Sequence, residues 1–169
     1  MKNIFFVRHA KSDWSNKNLN DHDRPLNARG ERDAKKMSEV FTSLGFDLDI
    51  LLSSSAVRTQ LTAQYFLATA GIDNSKLQIE PSIYESSAEN IFAIIEKIDK
   101  KYENVMIFGH NPTFTTIANY LSNNFIQNIP TCCIFQVESS AKDWSDFSAD
   151  NSKIAKLYFP KQYFSDAND

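Results

Sequence analysis

Ile4-Phe5-Phe6-Val7-Arg8-His9-Ala10-Lys11-Ser12-Asp13-Trp14, near the start of the sequence, passes from an apolar run straight into charge. Four consecutive β-branched or aromatic residues, without polar alternation, describe a short strand covered on both faces, as in the interior of a parallel sheet. The run stops abruptly at Arg8 and His9. In an open α/β sheet, ligands bind in the crevice beyond the carboxyl ends of the strands. Arg8 brings a planar fork of donors suited to phosphate or carboxylate, and neutral His9 brings a nucleophilic or basic nitrogen. The pair points to phosphoryl chemistry, although two polar residues alone also fit a strand that simply meets solvent.

A second stretch repeats the pattern. Val105-Met106-Ile107-Phe108 is another uninterrupted apolar run, and it ends at Gly109-His110-Asn111-Pro112-Thr113. Gly109 permits close backbone approach beside His110. Asn111 is expected to cap a helix whose first turn holds Pro112, where a missing N–H costs nothing. Two histidines at equivalent strand ends, with arginines in the same layer, are harder to explain as chance than one.

Between these runs the chain alternates helices and strands. Ala10 to Leu26 is polar and lacks an apolar period, so it is expected to form a loop over the carboxyl end of the sheet. In it, Asp21-His22-Asp23-Arg24-Pro25-Leu26 is turn-like, with Pro25 holding Arg24 extended. Arg24 either reaches the pocket of Arg8 or pairs with Asp21 or Asp23. His22 is read as an exposed loop residue without a role. Asn27 is expected to cap a helix through Leu44, with Ala34, Met37, Val40, Phe41 and Leu44 on one stripe and Gly45 at its end. Leu48 to Leu52 follows as a second buried strand. Next comes a helix capped by Ser55, with Val57, Leu61, Tyr65 and Ala68 on its inner face, ending before Gly71. Arg58 stands in its first turn, where the helix dipole disfavours a cation by a few tenths to about 1 kcal/mol. An anion in front of the helix would explain it.

Leu77 to Glu80 alternates like a short strand, ended by Pro81. Glu85 precedes a helix striped by Ile91, Ile94, Ile95 and Ile98. It is either a proton donor at the crevice or a carboxylate favouring the helix N-terminus. Cys132 to Val137 and Ile154 to Phe159 read as strands. The Ser139 to Ser152 connection between them is pinned by Trp144 and Phe147, and Pro160 to Asp169 is expected to fray.

The 169 residues suit one domain, 1–169. With a net charge of -3 the chain has no general attraction to nucleic acid or an anionic membrane, so any anion site must be local. No apolar run is long enough for a signal segment or a membrane span, and a cytoplasmic location is expected. Cys132 and Cys133, adjacent on an expected strand, would point to opposite faces as buried thiols, suited neither to a bridge nor to a metal pair. His9, His22 and His110 lack zinc-ligand spacing, and the chain has no P-loop, so no metal or cofactor is expected.

Arg8-His9 after a first strand, Arg58 in Ser-Ala-Val-Arg-Thr, Glu85, and Gly109-His110-Asn111-Pro112 together resemble the catalytic set of the histidine phosphatase superfamily, the phosphoglycerate mutase-like fold. The short length, the Asp23-Arg24-Pro25-Leu26-Asn27-Ala28-Arg29-Gly30 segment, Pro130-Thr131-Cys132, Trp144 and Phe159-Pro160-Lys161 are similar to its SixA-type phosphohistidine phosphatase branch. The resemblance implies a three-layer α/β/α domain around a mainly parallel sheet, without the long insertion that forms a lid in the mutases. It implies His9 as the nucleophile that becomes phosphorylated, with Arg8, Arg58 and His110 holding the phosphoryl group. Arg24 would lie beside the anion site, and Glu85 would fall at the superfamily's proton-donor position. One departure is Ala10, where the superfamily commonly has glycine. The expected function is a metal-independent phosphatase acting on phosphohistidine in a protein. A small-molecule phosphomonoesterase and a non-catalytic phospho-ligand binding module are the alternatives. The partner is accordingly a phosphorylated protein or a small phosphorylated metabolite, with no nucleic acid and no membrane, and the oligomeric state is unknown.

Overall fold

The apolar run at the start of the chain forms strand β1 (Lys2–Arg8), next to the middle of a six-stranded sheet in a computed structural model that describes residues 1–164. The other strands are β2 (Ile50–Ser53), β3 (Leu77–Ile79), β4 (Asn104–Gly109), β5 (Ile134–Ser139) and β6 (Ser152–Tyr158), in the spatial order β3-β2-β4-β1-β5-β6. β3, β2, β4 and β1 run parallel, whereas β5 lies antiparallel to β1 and β6 antiparallel to β5.

Strand pleating divides the apolar side chains between two cores. Ile4 and Phe6 face one side with Ile107, Leu52 and Phe135, under helices α3 (Ala88–Ile95) and α4 (Thr113–Tyr120). Phe5 and Val7 face the other with Leu51, Met106 and Phe108, under α1 (Ala28–Ser43) and α2 (Val57–Ala70). This is the expected three-layer architecture. Register then sets the site: Arg8 lies opposite Gly109, and Phe108 opposite Ser53, so three neighbouring parallel strands end abreast.

Several local expectations are corrected. The cysteines precede β5 in a turn. Cys132 has a left-handed backbone (φ 58°), and its N–H donates to the carbonyls of Arg8 and His9 at 3.0 and 3.1 Å. Both thiols are nevertheless buried and on opposite faces of the sheet. Helix α2 turns Thr59, Thr62, Ala63, Phe66 and Leu67 inward, leaving Leu61 and Ala68 exposed. Thr59 and Thr62 can be buried because their hydroxyls donate to the carbonyls of Ala56 and Arg58, each at 2.7 Å. The cap position of α2 is Ala56, without a side-chain cap. Helix α4 starts at Thr113, and Asn111 serves it from further out, its Oδ1 accepting from the Thr115 N–H at 3.3 Å. Trp144 and Phe147 do pin the β5–β6 connection. Of the terminus expected to fray, Pro160–Gln162 forms a 3-10 turn and residues 165–169 lie outside the described residues.

Candidate active site

Each of the three abreast strands hands one polar residue to the space beyond its end: His9 after β1, Ser54 after β2 and His110 after β4. All three are buried. The His9 and His110 rings lie 5.2 Å apart, centroid to centroid.

The His9 Nδ1 sits 2.7 Å from the carbonyl of Ala10. A carbonyl can only accept, so Nδ1 carries the proton and Nε2 keeps its lone pair. Burial pushes the His9 pKa down to about 3, helped by His110, Arg58 and Arg8 and opposed by the Ala10 hydrogen bond. The imidazole is thus neutral across the physiological range. His110 is pushed down to about 4, again mainly by burial and then by Arg58. Its Nδ1 faces the Arg58 guanidinium at 3.4 Å, and its Nε2 lies 2.8 Å from the Ser54 hydroxyl.

Arg58 is buried at the first turn of α2. Its two terminal nitrogens donate to the Asp21 carbonyl at 2.7 Å and the Asp21 Oδ2 at 3.0 Å. Tyr84 donates its hydroxyl to the same Oδ2 at 2.8 Å. Partial burial pushes the Asp21 carboxyl up, but Tyr84 and Arg58 outweigh it and hold it below the usual carboxylate range. Burial, and then the same contact, pushes Tyr84 up to about 12. Arg8 donates to the Ile129 carbonyl at 2.7 Å, and Asn111 clamps that carbonyl from the other side at 2.9 Å. Burial lowers the Arg8 pKa from its ordinary value, as does Arg58.

Of these groups, Arg8, His9, Asp21 and Arg58 line a cleft of about 300 Å³ together with Lys11, Ser12, Trp14 and Thr131, and His110 reaches it through its contacts with His9 and Arg58. A larger hollow of about 480 Å³ beside the edge strand β3 is lined by neither histidine nor arginine. Among the described residues, no group of three His, Cys, Asp or Glu side chains could hold a metal ion.

Arg8, His9, Arg58 and His110 are therefore brought together. Glu85 is exposed, next to Tyr84 and outside the residues lining the cleft, with a left-handed backbone (φ 51°). Arg24 is buried inside its own loop, donating to the carbonyls of Asn16 and Leu19 at 3.2 Å each, with its guanidinium 4.1 Å from the Trp14 ring centre. It pairs with neither Asp21 nor Asp23. His22, expected to be idle in solvent, is half-buried and bridges Asp23 and the Ser55 hydroxyl at 3.2 and 2.9 Å. Sequence reasoning missed Ser54, Asp21 and Tyr84. Ser54 had a signal, since it follows a buried strand just as His9 and His110 do.

With this geometry in view, the chain's relatives are informative. The profile of the histidine phosphatase superfamily (branch 1) matches residues 4–91. An uncharacterized chloroplastic protein of Arabidopsis thaliana is 31% identical over 153 residues, covering 86% of this chain and 70% of that protein. Among solved structures, SixA from Agrobacterium tumefaciens superposes with a TM-score of 0.79 at 22% identity, over 94% of this chain and 98% of the other. The protein histidine phosphatase SixA complexed with tungstate gives 0.77 at 17% identity, over 95% and 98%. The chain belongs to the histidine phosphatase superfamily, and its class is that of a phosphatase. Its fold is that of the SixA structures, without a large insertion.

Proposed function

We propose that this protein hydrolyses phosphohistidine on a protein substrate, without a metal, through a covalent intermediate on His9. The observation that carries the reading is the Nδ1–Ala10 hydrogen bond, which leaves the His9 Nε2 lone pair free in a cleft that Arg8 and Arg58 also line. In the first step Nε2 attacks phosphorus. The substrate's P–N bond breaks, and its electron pair returns to the departing imidazole. In the second, water attacks the phosphohistidine at residue 9 and the His9 ring leaves. A transferred phosphoryl group spreads negative charge over three equatorial oxygens, so catalysis is chiefly positioning and charge stabilisation. Arg8, Arg58 and His110 are the groups we assign to that task. A cleft without a roofing insertion suits a side chain presented by another protein. The likeness in fold to a protein histidine phosphatase that holds tungstate, an oxyanion, supports the same reading.

Glu85 enters only if the leaving group is an alkoxide, which needs a proton. The test compares a chemically phosphorylated histidine peptide with a panel of phosphate monoesters, in chelator, for wild type and Glu85→Gln. Preference for the peptide, undiminished in the variant, is the expected result. Preference for monoesters, with turnover destroyed by Glu85→Gln, would make the protein a small-molecule phosphatase with Glu85 as its acid.

A further inference from the structure

A negative charge in a phosphate cleft repels the group the cleft must bind, and Asp21 places one there. It is the only carboxylate among the residues lining the cleft, and its side chain is about half exposed (46%). Anchoring Arg58 explains only part of it. One guanidinium nitrogen is held by the Asp21 main-chain carbonyl, and the Oδ2 that takes the other could belong to a neutral amide. Tyr84 donates to that same Oδ2, so the carboxylate is fixed through one oxygen. Its Oδ1 has no hydrogen-bond partner among the described residues. What remains to be explained is the charge itself and the open oxygen.

We propose that Asp21 is a specificity-determining residue that selects phosphoramidates whose nitrogen leaving group carries a positive charge, above all a phosphorylated imidazolium. The inference rests on the phosphohistidine reading above and adds a residue to it. When the ring nitrogen remote from phosphorus is protonated, cleavage of the P–N bond returns the electron pair to the near nitrogen. The ring then departs as neutral imidazole, keeping its remote N–H. A fixed carboxylate stabilises that cation by accepting the remote N–H, a charge-assisted hydrogen bond. Phosphate monoesters gain nothing from it. Their leaving oxygen becomes more negative as the bond breaks, and a carboxylate held ionised by Tyr84 and Arg58 has no proton to give. The indole of Trp14, 60% exposed in the same cleft, adds an aromatic edge for a flat ring.

The test measures kcat/KM for phosphoimidazole and p-nitrophenyl phosphate with wild type, Asp21→Asn and Asp21→Ala, and separately follows the phosphohistidine peptide. Asn keeps an oxygen for Arg58 and Tyr84 and removes only the charge. Asp21→Asn is expected to lower kcat/KM for phosphoimidazole about tenfold more than kcat/KM for p-nitrophenyl phosphate. Asp21→Ala, which loosens Arg58, should slow both. An equal loss on both substrates in Asp21→Asn, or an unchanged ratio, overturns the inference and makes Asp21 an anchor for Arg58 alone. Failure of the wild type to turn over phosphoimidazole also overturns it. A wild type active on phosphoimidazole but not on the phosphohistidine peptide overturns the protein-substrate reading instead, leaving the Asp21 ratio to stand or fall by itself.

Discussion

Burial does more than the neighbouring arginines to keep the His9 ring neutral. Solvent exclusion of this kind could not be read in the sequence. The nucleophile therefore stays unprotonated without anion-binding groups having to do all of that work. Replacing His9 by Ala should abolish turnover, by roughly four orders of magnitude or more. The oxyanion site should survive, because Arg8 and Arg58 take their geometry from Ile129 and Asp21 and not from His9. Calorimetry with tungstate tests this. Affinity within a few-fold of wild type is expected, and substantial residual hydrolysis would sink the covalent route. At this scale the sequence exposed the residues that end strands and hid those that act through partners. Asp21, Tyr84 and His22 belong to no periodic pattern, and only the fold shows that they meet at Arg58 and Ser55.

The loop between β1 and α1 has its own organisation. Its neck is closed by the Ser12–Leu26 bridge, by Asp13 N–H to the Pro25 carbonyl at 2.8 Å, and by Asn27 N–H to the Lys11 carbonyl at 3.0 Å. Its interior is filled by Arg24 rather than by an apolar side chain. That is why the reading of Arg24 stayed open in the sequence: a guanidinium serving as a loop's core leaves no hydrophobic signature. The neck closes against α1 only because Gly30 has no side chain, since a Cβ there would run into the backbone of Lys11. Gly30→Ala is expected to cost about 1–3 kcal/mol in urea unfolding and to lower turnover as well, because Lys11, Ser12 and Trp14 line the cleft. Asn27→Ala loses the acceptor for the Gly30 N–H at 2.8 Å and should cost about 1 kcal/mol. Helix α2 makes the opposite point. Its apolar pattern favoured the wrong face because buried threonines satisfied by their own backbone look polar in a sequence.

Across the whole molecule, the site makes stability depend on pH. His9 and His110 are both pushed down, to about 3 and about 4, so the unfolded chain binds their protons more readily than the folded one. Stability should be full above about pH 6.5 and fall as pH drops from there towards the folded values. The slope is about 1.4 kcal/mol per pH unit for each histidine. Urea melts across that range should show the loss, and His9→Gln should remove one histidine's share of the slope. The layering, the parallel sheet and the strand-end histidines were legible because buried parallel strands announce themselves as unbroken apolar runs. Asn27 was legible as the cap of α1, but the N-terminal caps of α2 and α4 and the turn at Cys132 were not, because backbone geometry decides them.

Consider finally the synthesis of this chain on a ribosome. β1 is paired on both sides, yet its partners β4 and β5 lie about a hundred residues or more downstream. At about 5–20 residues per second, Ile4, Phe5, Phe6 and Val7 wait roughly five to twenty seconds before the first of those partners has even been made. The strand that carries His9 to the cleft is thus made long before it is paired, and it needs shelter in the interval.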